Sequence, residues 1–519
     1  MFASFILLLV STICFAELDS NKIIFPEDLQ YLGAFRPPSG TGEESWSYGG
    51  GGLTFYPEGD SEGSGDGFPG SLFGIAHIWY ENVSEMSIPA PVKSSTQDIG
   101  DLPRAESLQP YVDITEGKGD ETPPSPYSET DKMGDLCYLP AQPGQTSGKI
   151  YWSRHYYYQV SGGETATLGW SETDLSNLNA KGPWHGGPVD SGFFKGTYTG
   201  DYLFTAPKAW ADSLLGGKYI IGGRSYGPGN HSQSSGPAMI AYGPYLNNDG
   251  AAPAPYTEID AEILLMYPPL DTFFKDPEGN GWGHCDKWQA GVWLTEGERS
   301  VVMFMGRRGL GETYYGNGRD FDCKSSKGYH CTPYEVQFLF YDPSEFGAVI
   351  RGEKSYKDVQ PFAIYRPEGE IWDACSPEIA SVAYDRQNGH IYMYQSMGGD
   401  VLIHVYRIIP SDPSPAIESG IPVTGGSPAI IASPNPFNPS TIITVSGLPV
   451  SAYAETHGIE GLWIYDSRGR IVARPNNVGR YGSSSQQYVW DASGMPAGIY
   501  IARFSFRDKV FTKKLVLTK

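Results

Sequence analysis

The sequence predicts an all-β protein in which a β-propeller is followed by a small Ig-like β-sandwich. Three observations support this prediction. Short runs rich in Val, Ile, Tyr and Phe alternate with Gly- and Pro-rich turns, a pattern typical of β-sheet proteins. A pair of such runs recurs five times along the chain, and repetition of one small structural unit is typical of propellers. A Pro- and Ser-rich stretch then precedes a last, compact group of strand-like runs.

Residues 1–16 are predicted to be a signal peptide. They read MFASFILLLVSTICFA, a short apolar run that ends in a small residue before Glu17, as a signal peptidase site requires. The run is too short for a stable membrane anchor, and no later segment is apolar for long enough to span a bilayer. We therefore expect an exported protein without a membrane span.

The predicted propeller body spans residues 21–409, and its repeats begin near positions 51, 134, 211, 290 and 380. The spacing of about 77 to 90 residues exceeds the roughly 40 to 45 that one blade needs. We favour five blades with long loops, and six or seven blades are the alternatives. The first strand of the third repeat is weak, near residues 202–206. The early run Tyr31–Phe35 has no partner in the first repeat, so we expect it to pair with the last blade. Short helical turns are expected at residues 209–215 and 344–352.

Five cysteines remain after the predicted signal peptide, so at least one thiol is free in an exported protein. Cys323 and Cys331 are close enough in sequence for a local disulfide. Cys285 and Cys375 each precede the first strand of a repeat, so neighbouring repeats can bring them together. Cys137 lies within a predicted strand and is expected to be the buried free thiol. No CxxC pair occurs, and we predict no metal site from these residues.

The formal net charge of −22 is unevenly distributed. Residues 433–519 contain 10 basic and 5 acidic residues, a charge of +5, which leaves −22 − 5 = −27 for the rest of the chain. So acidic a body does not favour binding to nucleic acid or to an anionic membrane. Aromatic residues make up 13% of the chain, which suits both β-sheet packing and platforms for sugar rings.

The polar residues at the ends of the predicted second strands are candidate ligand contacts. In a propeller these ends, and the loops that lead into the first strands, converge on one central pocket. The second-strand ends supply His77, Arg154, His155, Arg224, Arg307, Arg308 and Gln395. The loops supply Tyr48, Asp135, His284, Asp286, Asp373 and Glu378. Since arginine forks grip carboxylate and sulfate groups, we expect a pocket for an anionic, uronic-acid or sulfated polysaccharide. Alternatively, the arginines pair with nearby acids and only join neighbouring blades.

Two long loops, residues 225–237 and 306–331, are expected to border this pocket. Three functions fit the residues. A polysaccharide lyase needs a cation, a base and an acid, which Arg, His and Tyr supply; a glycoside hydrolase needs two carboxylates; a non-catalytic, adhesive glycan-binding propeller needs aromatic side chains. The candidate catalytic residues are His155, His231, Tyr314, Asp286 and Asp373. The candidate substrate-binding residues are His77, Arg154, Trp184, Arg224, Arg307, Arg308 and His330.

Signals for a cofactor are weak. The segment Asp60–Gly67 has the composition of a calcium loop but not the EF-hand spacing, and a hairpin tip is the simpler interpretation. No GxSxG, P-loop, HExxH or dinucleotide-binding motif occurs in the sequence. We therefore expect no cofactor and no catalytic metal, and a structural Ca2+ is the alternative.

The end of the chain resembles a known family. Residues 410–432 are predicted to be a Pro/Ser/Gly-rich linker. The segments that follow are SPNPFNPSTI at 433–442, IYDSRGRIV at 464–472, Trp490, PAGIYIARF at 496–504 and the terminal KKLVLTK. In this order they resemble the type A C-terminal sorting domain of type IX secretion substrates. The resemblance covers residues 433–519 and implies contact with the secretion machinery, followed by release from the cell or attachment to its surface.

The body also resembles a family of uncharacterised secreted bacterial β-propeller-like proteins. The shared segments include YLGAFRPP, YGGGGLTFYP, VVMFMGRRG and NGHIYMYQS. That family implies no activity, so the function depends on the candidate site.

Overall fold

The computed structural model describes residues 22–49, 51–60, 63–118, 131–156, 166–188, 200–224, 236–247, 250–267, 282–283, 285–315, 329–372, 378–397, 399–410, 429–433, 438, 440–446, 459–466, 470–480, 485–506 and 509–518. The chain divides into two compact units, Met1–Asp412 and Pro413–Lys519. Almost all of the described regular structure is β, and the strands pair antiparallel except for Glu258–Ile259, which pairs parallel with Lys181–Gly186. The predicted signal peptide lies outside the described residues.

The first unit contains twenty-two described strands, whose order along the chain follows the predicted repeats. They are β1 (Leu29–Phe35), β2 (Leu53–Tyr56), β3 (Ser71–Ile75), β4 (Val83–Ser87), β5 (Asp131–Leu139), β6 (Lys149–Tyr156), β7 (Leu168–Glu172), β8 (Lys181–Gly186), β9 (Tyr202–Thr205), β10 (Ile220–Gly223), β11 (Ala238–Tyr242), β12 (Glu258–Ile259), β13 (Ala261–Met266), β14 (Lys287–Glu296), β15 (Arg299–Gly309), β16 (Tyr314–Tyr315), β17 (Tyr329–His330), β18 (Tyr334–Tyr341), β19 (Ala363–Tyr365), β20 (Glu378–Asp385), β21 (His390–Met397) and β22 (Asp400–Ile408).

These strands form five main sheets and one short ribbon. The strand orders are β2-β3-β4 in sheet 1, β12-β8-β7-β6-β5 in sheet 2, β13-β11-β10-β9 in sheet 3, β14-β15-β18-β19 in sheet 4 and β1-β22-β21-β20 in sheet 5. The ribbon is β16-β17, inside the connection between β15 and β18. Strand β1 pairs antiparallel with β22, so the pairing expected of Tyr31–Phe35 with the last repeat is confirmed.

The first strands of the five repeats contact one another in cyclic order. Strand β2 contacts β5, β5 contacts β9, β9 contacts β14, β14 contacts β20, and β20 contacts β2 again. Buried clusters fill the spaces between consecutive sheets: one between sheets 1 and 2, one shared by sheets 2, 3 and 4, one between sheets 4 and 5, and one between sheets 5 and 1. Each sheet is therefore covered on both faces by its neighbours, which explains its runs of fully apolar strand residues.

In the described ranges, two short α-helices lie outside the sheets, near the predicted helical turns. Helix α1 spans Lys208–Leu214 and helix α2 spans Pro343–Ile350. Helix α2 begins with Pro343 after Asp342, whose carboxylate accepts a hydrogen bond from the Ser344 backbone N–H at 2.8 Å, a typical N-cap. Within the described part of the chain, no helix has the length and apolar character needed to cross a membrane.

The second unit consists of two four-stranded antiparallel sheets. Their strands are β23 (Ala429–Ser433), β24 (Ser440–Ser446), β25 (Ile459–Asp466), β26 (Ile471–Ala473), β27 (Asn476–Arg480), β28 (Ser485–Asp491), β29 (Gly498–Phe506) and β30 (Lys509–Leu517). The orders are β23-β24-β28-β27 and β26-β25-β29-β30, and side chains of both sheets share one core. Strand β23 begins at Ala429, inside the predicted linker, because Ile430 and its neighbours pair with β24 and pack on that core.

The disulfide pairing differs from both pairs considered from the sequence. Cys285 is bonded to Cys331, with their Cα atoms 5.8 Å apart, so the Cys323–Cys331 and Cys285–Cys375 predictions are wrong. The long connection between β15 and β18 folds back, and its ribbon strand β17 brings Cys331 beside the residues that precede β14. The buried free thiol predicted at Cys137 is confirmed.

Candidate functional site

The first strands of the body begin on one common face, which we call the polar face. The Asp135 carboxylate on β5 accepts hydrogen bonds from Leu53 N at the start of β2 (3.0 Å), Leu203 N on β9 (3.0 Å) and Ser381 Oγ near the start of β20 (2.9 Å). On the same face, Glu378, the first residue of β20, forms an ion pair with Lys287 at the start of β14. The second strands run antiparallel to the first ones, so they end on the polar face.

Asp135 links the first strands of the body at the point where they converge. Its side chain is buried, and Leu136 N donates a fourth hydrogen bond to it, at 2.8 Å. Burial raises the pKa of the carboxyl to about 8, because desolvation outweighs the hydrogen bonds that favour the charged form. All four donors belong to the strands themselves, so Asp135 joins the strand ends of four sheets.

An exposed cluster of aromatic rings lies on the polar face, after the end of β3 and before the start of β2. We call it the aromatic cluster, and it consists of Tyr48, His77, Trp79 and Tyr80. Tyr48 and Trp79 lie parallel, with ring centroids 6.3 Å apart and an angle of 5° between the planes. The His77 ring contacts all three others, at centroid distances of 5.8, 5.5 and 5.0 Å. Trp79 is 74% exposed, Tyr48 52% and Tyr80 44%, whereas His77 is buried beneath them.

The backbone holds these rings in place through a tight turn after β3. The His77 carbonyl accepts hydrogen bonds from Tyr80 N (3.1 Å) and Glu81 N (2.9 Å), and His77 Nδ1 accepts one from Trp79 N (3.1 Å). Tyr48 and Glu81 have φ angles of 60° and 58°, in the left-handed region that few non-glycine residues adopt. Such conformations cost about 1 to 3 kcal/mol and concentrate at ligand sites.

A second polar group lies where sheets 4 and 5 meet. Arg307 on β15 donates to Glu378 at 3.3 Å, and Lys287 at the start of β14 lies 3.7 Å from the same carboxylate. The Arg307 guanidinium also lies over the Tyr334 ring, 4.6 Å from its centroid. Arg307 therefore joins sheets 4 and 5 through an ion pair with Glu378. This is the contact expected if the arginines only join neighbouring sheets.

Tyr314 and His330 are brought together by the ribbon β16–β17. They face each other across the β16–β17 pair, and their rings stack with centroids 5.4 Å apart. His330 is buried. The next residue, Cys331, bonds to Cys285, so the disulfide fixes this Tyr–His pair beside the start of β14.

Three other predicted residues, Asp286, Trp184 and Gln395, are buried and hydrogen-bonded within the body. Asp286 is buried and accepts backbone hydrogen bonds from Gly283 N (2.8 Å) and Gly309 N (3.1 Å). Trp184 lies fully in the core of the body, and its indole N–H donates to backbone carbonyls, so it packs sheet 2 and does not reach a ligand. Gln395 is buried between His404 Nε2 (2.7 Å) and the Trp372 carbonyl (2.6 Å).

Of the remaining predicted residues, three lie at or near the ends of strands and four lie wholly or in part outside the described residues. Arg154 and Arg224 are buried at the ends of β6 and β10, and Arg308 is half-buried on β15 opposite Glu335. His231, His284 and Asp373 lie outside the described residues, as does the side chain of His155, whose backbone belongs to β6. No three His, Cys, Asp or Glu side chains within the described ranges are grouped as a metal site.

Trp79 and Tyr80 were not predicted as ligand contacts. In the sequence, the apolar residues IWY at positions 78–80 directly follow the predicted strand that ends at His77. They therefore resembled a continuation of that strand. The available signal was a Trp–Tyr pair followed by Glu-Asn, directly after a candidate second-strand end.

Comparison with known proteins bears on the second unit. Residues 433–518 match the family described as Secretion system C-terminal sorting domain. No curated protein matches the chain, so the resemblance of the body to a secreted family stays a prediction. The match agrees with the motifs from SPNPFNPSTI to the terminal basic and apolar strand. The last 86 or so residues are therefore a type IX secretion C-terminal sorting domain, and the chain is an exported protein of the extracellular space or the cell surface.

Proposed function

We propose that this protein is a secreted glycan-binding protein whose body holds an anionic polysaccharide on the polar face. The fold that we propose for the body is a five-bladed β-propeller, since the first strands of five sheets contact one another in cyclic order. For the second unit we propose an Ig-like β-sandwich, because two four-stranded sheets share one core.

The aromatic cluster is the observation that carries the proposal. Sugar rings have an apolar face of C–H groups, which gains free energy when it covers an aromatic ring. Exposed Tyr48 and Trp79 lie nearly parallel, and the buried His77 supports both rings from below. A contiguous group of exposed aromatic rings is typical of a binding site.

The anionic character of the ligand is proposed from the cations on the same face. Arg154, Arg224 and Arg308 lie at the ends of second strands, and Arg307 and Lys287 on the same face already bind Glu378. Arginine is suited to carboxylate and sulfate because its planar fork makes two parallel hydrogen bonds. Because the residues before position 433 together carry a charge of −27, this grouping of cations favours polyuronate or sulfated glycans.

Binding without hydrolysis fits the described carboxylates better than acid–base hydrolysis does. A glycosidase needs two carboxyl groups that reach the scissile bond from opposite sides. Asp135 and Asp286 are buried, and their oxygens are occupied by backbone donors. Glu378 is engaged by Arg307 and Lys287.

A polysaccharide lyase is the second candidate, and the Tyr314–His330 pair favours it. A lyase removes the proton at C5 of a uronic acid and protonates the leaving oxygen, for which a paired His and Tyr are suitable groups. The product carries a conjugated double bond that absorbs in the ultraviolet. If the purified protein releases such a product from polygalacturonate and Tyr314→Phe does not, the protein is a lyase.

The proposed binding function is tested by affinity electrophoresis through gels that contain polygalacturonate, dextran sulfate or neutral dextran. We expect the full chain to be retarded by at least one anionic polymer, and the double variant Tyr48→Ala/Trp79→Ala to migrate freely. Ile364→Ala is the matched control, since Ile364 is an exposed apolar residue on the outer strand β19. Equal migration of the wild type and the double variant in all gels would refute the proposal.

A further inference from the structure

The sheet β26-β25-β29-β30 of the sorting domain has one buried and one outward face. Alternate residues of a strand point to opposite sides, and Leu462, Ile464, Ala502 and Phe504 face the core. Their neighbours Trp463 and Tyr465 on β25, and Ile501 and Arg503 on β29, therefore point outward. We call this side of the sheet the outer face.

Branched apolar side chains are exposed on the outer face. Ile471 is 55% exposed, Ile499 49% and Ile501 37%. They are neighbours, because Tyr465 pairs with Ile471 on one side and with Ile501 on the other, and Ile499 is two residues from Ile501 on β29. Single exposed apolar residues are ordinary, but a contiguous group is typical of a docking surface.

Basic side chains surround this apolar group. The Arg474 guanidinium lies 3.7 Å from the centre of the Trp463 ring, and the Arg503 guanidinium 6.0 Å from that of Tyr465. Lys514 on β30 pairs with Ile501. Among the outward side chains that are described on this sheet, basic groups occur and acidic groups do not.

We propose that the outer face is the surface by which the sorting domain docks onto a protein of the type IX secretion machinery, and that this partner presents an apolar patch with an acidic rim. Charge complementarity selects the partner, since the arginines and the lysine around the isoleucines match carboxylates. Apolar burial at the centre supplies affinity and the charged rim supplies specificity. The inference rests on the family match and is independent of glycan binding.

Export of the full chain from a bacterium with a type IX system tests this docking surface. The variants are Ile501→Glu and Arg503→Glu, and the control is Val489→Glu. Val489 is a half-buried residue that points away from the core on β28 of the opposite sheet, between Tyr488 and Trp490. We expect the extracellular and cell-surface fraction to fall at least tenfold for the two outer-face variants, with accumulation in the periplasm, and no change for the control.

Folding and partner identity are measured in parallel. The urea midpoint of each variant checks that the unit is folded; if Ile501→Glu is unfolded, Arg503→Glu decides the result, since it replaces an exposed side chain. A photoreactive residue at position 501 identifies what covers the face. Cross-links to a component of the secretion machinery support the proposal. Cross-links only to lipid or to a second copy of the chain, or normal export of folded Arg503→Glu, overturn it. Glycan retention by the body is expected to be unaffected by these variants.

Discussion

Truncation of Trp79 provides the sharpest test of the aromatic cluster. The side chain is 74% exposed, and a tryptophan offers roughly 150 to 250 Å² of surface. A sugar ring that covers one side of the indole removes roughly 80 Å² of apolar surface from water, worth about 2 kcal/mol at ~25 cal/mol per Å². Trp79→Ala is therefore expected to weaken glycan binding by about 30-fold.

The assay is isothermal titration calorimetry with oligomers of the polymer that retards the full chain most. Trp79→Phe is the conservative control, and we expect it to recover part of the affinity because a ring remains above His77. Stability is expected to change little, since the side chain is mostly exposed. If Trp79→Ala binds as tightly as the wild type, the ring does not contact the glycan and the reasoning is wrong.

Three further predictions concern the fold that positions the site. Replacement of both Cys285 and Cys331 by Ser opens a loop of 46 residues and is expected to lower the free energy of unfolding by up to about 4 kcal/mol; an unchanged denaturant midpoint would contradict this. Because burial raises the pKa of Asp135 to about 8, from about 4 in the unfolded chain, its contribution to stability is greatest below about pH 4 and is lost as the pH rises toward 8. Asp135→Asn is expected to remove that part of the pH dependence, and unfolding curves of both proteins between pH 4 and 9 measure it. Burial lowers the pKa of His404 to about 3, so its contribution is present above about pH 6.5 and is lost as the pH falls toward 3; His404→Gln is expected to unfold less steeply with acid, and equal acid transitions would refute this.

The strand pattern was predictable because alternation and turn residues are local properties of the sequence. The pairing of Tyr31–Phe35 with the last repeat followed from an unpaired strand at the start of the body, and β1 does pair with β22. The weak first strand of the third repeat was also identified, as β9 covers Tyr202–Thr205. Both predictions needed only a count of strands per repeat.

The disulfide and the aromatic cluster depend on chain reversals that local patterns do not specify. Cys331 meets Cys285 because the ribbon β16–β17 folds back toward β14, although Cys323 is much closer in sequence. Trp79 is exposed because the chain turns after His77, whereas an apolar run such as IWY predicts a buried strand. Trp184 shows the reverse: it was predicted to bind substrate, but it is a fully buried core residue of β8.

Glycan binding by the aromatic cluster is tested most directly by hydroxyl-radical footprinting of the full chain. Oxidation of Trp79 and Tyr48 is measured by mass spectrometry with and without saturating polygalacturonate or dextran sulfate, and neutral dextran serves as the comparison polymer. Half-buried Trp463 and Tyr465 of the sorting domain are internal references for general quenching. We predict that one anionic polymer protects Trp79 and Tyr48 and leaves the references unchanged. Equal oxidation of Trp79 with and without every polymer would contradict the account.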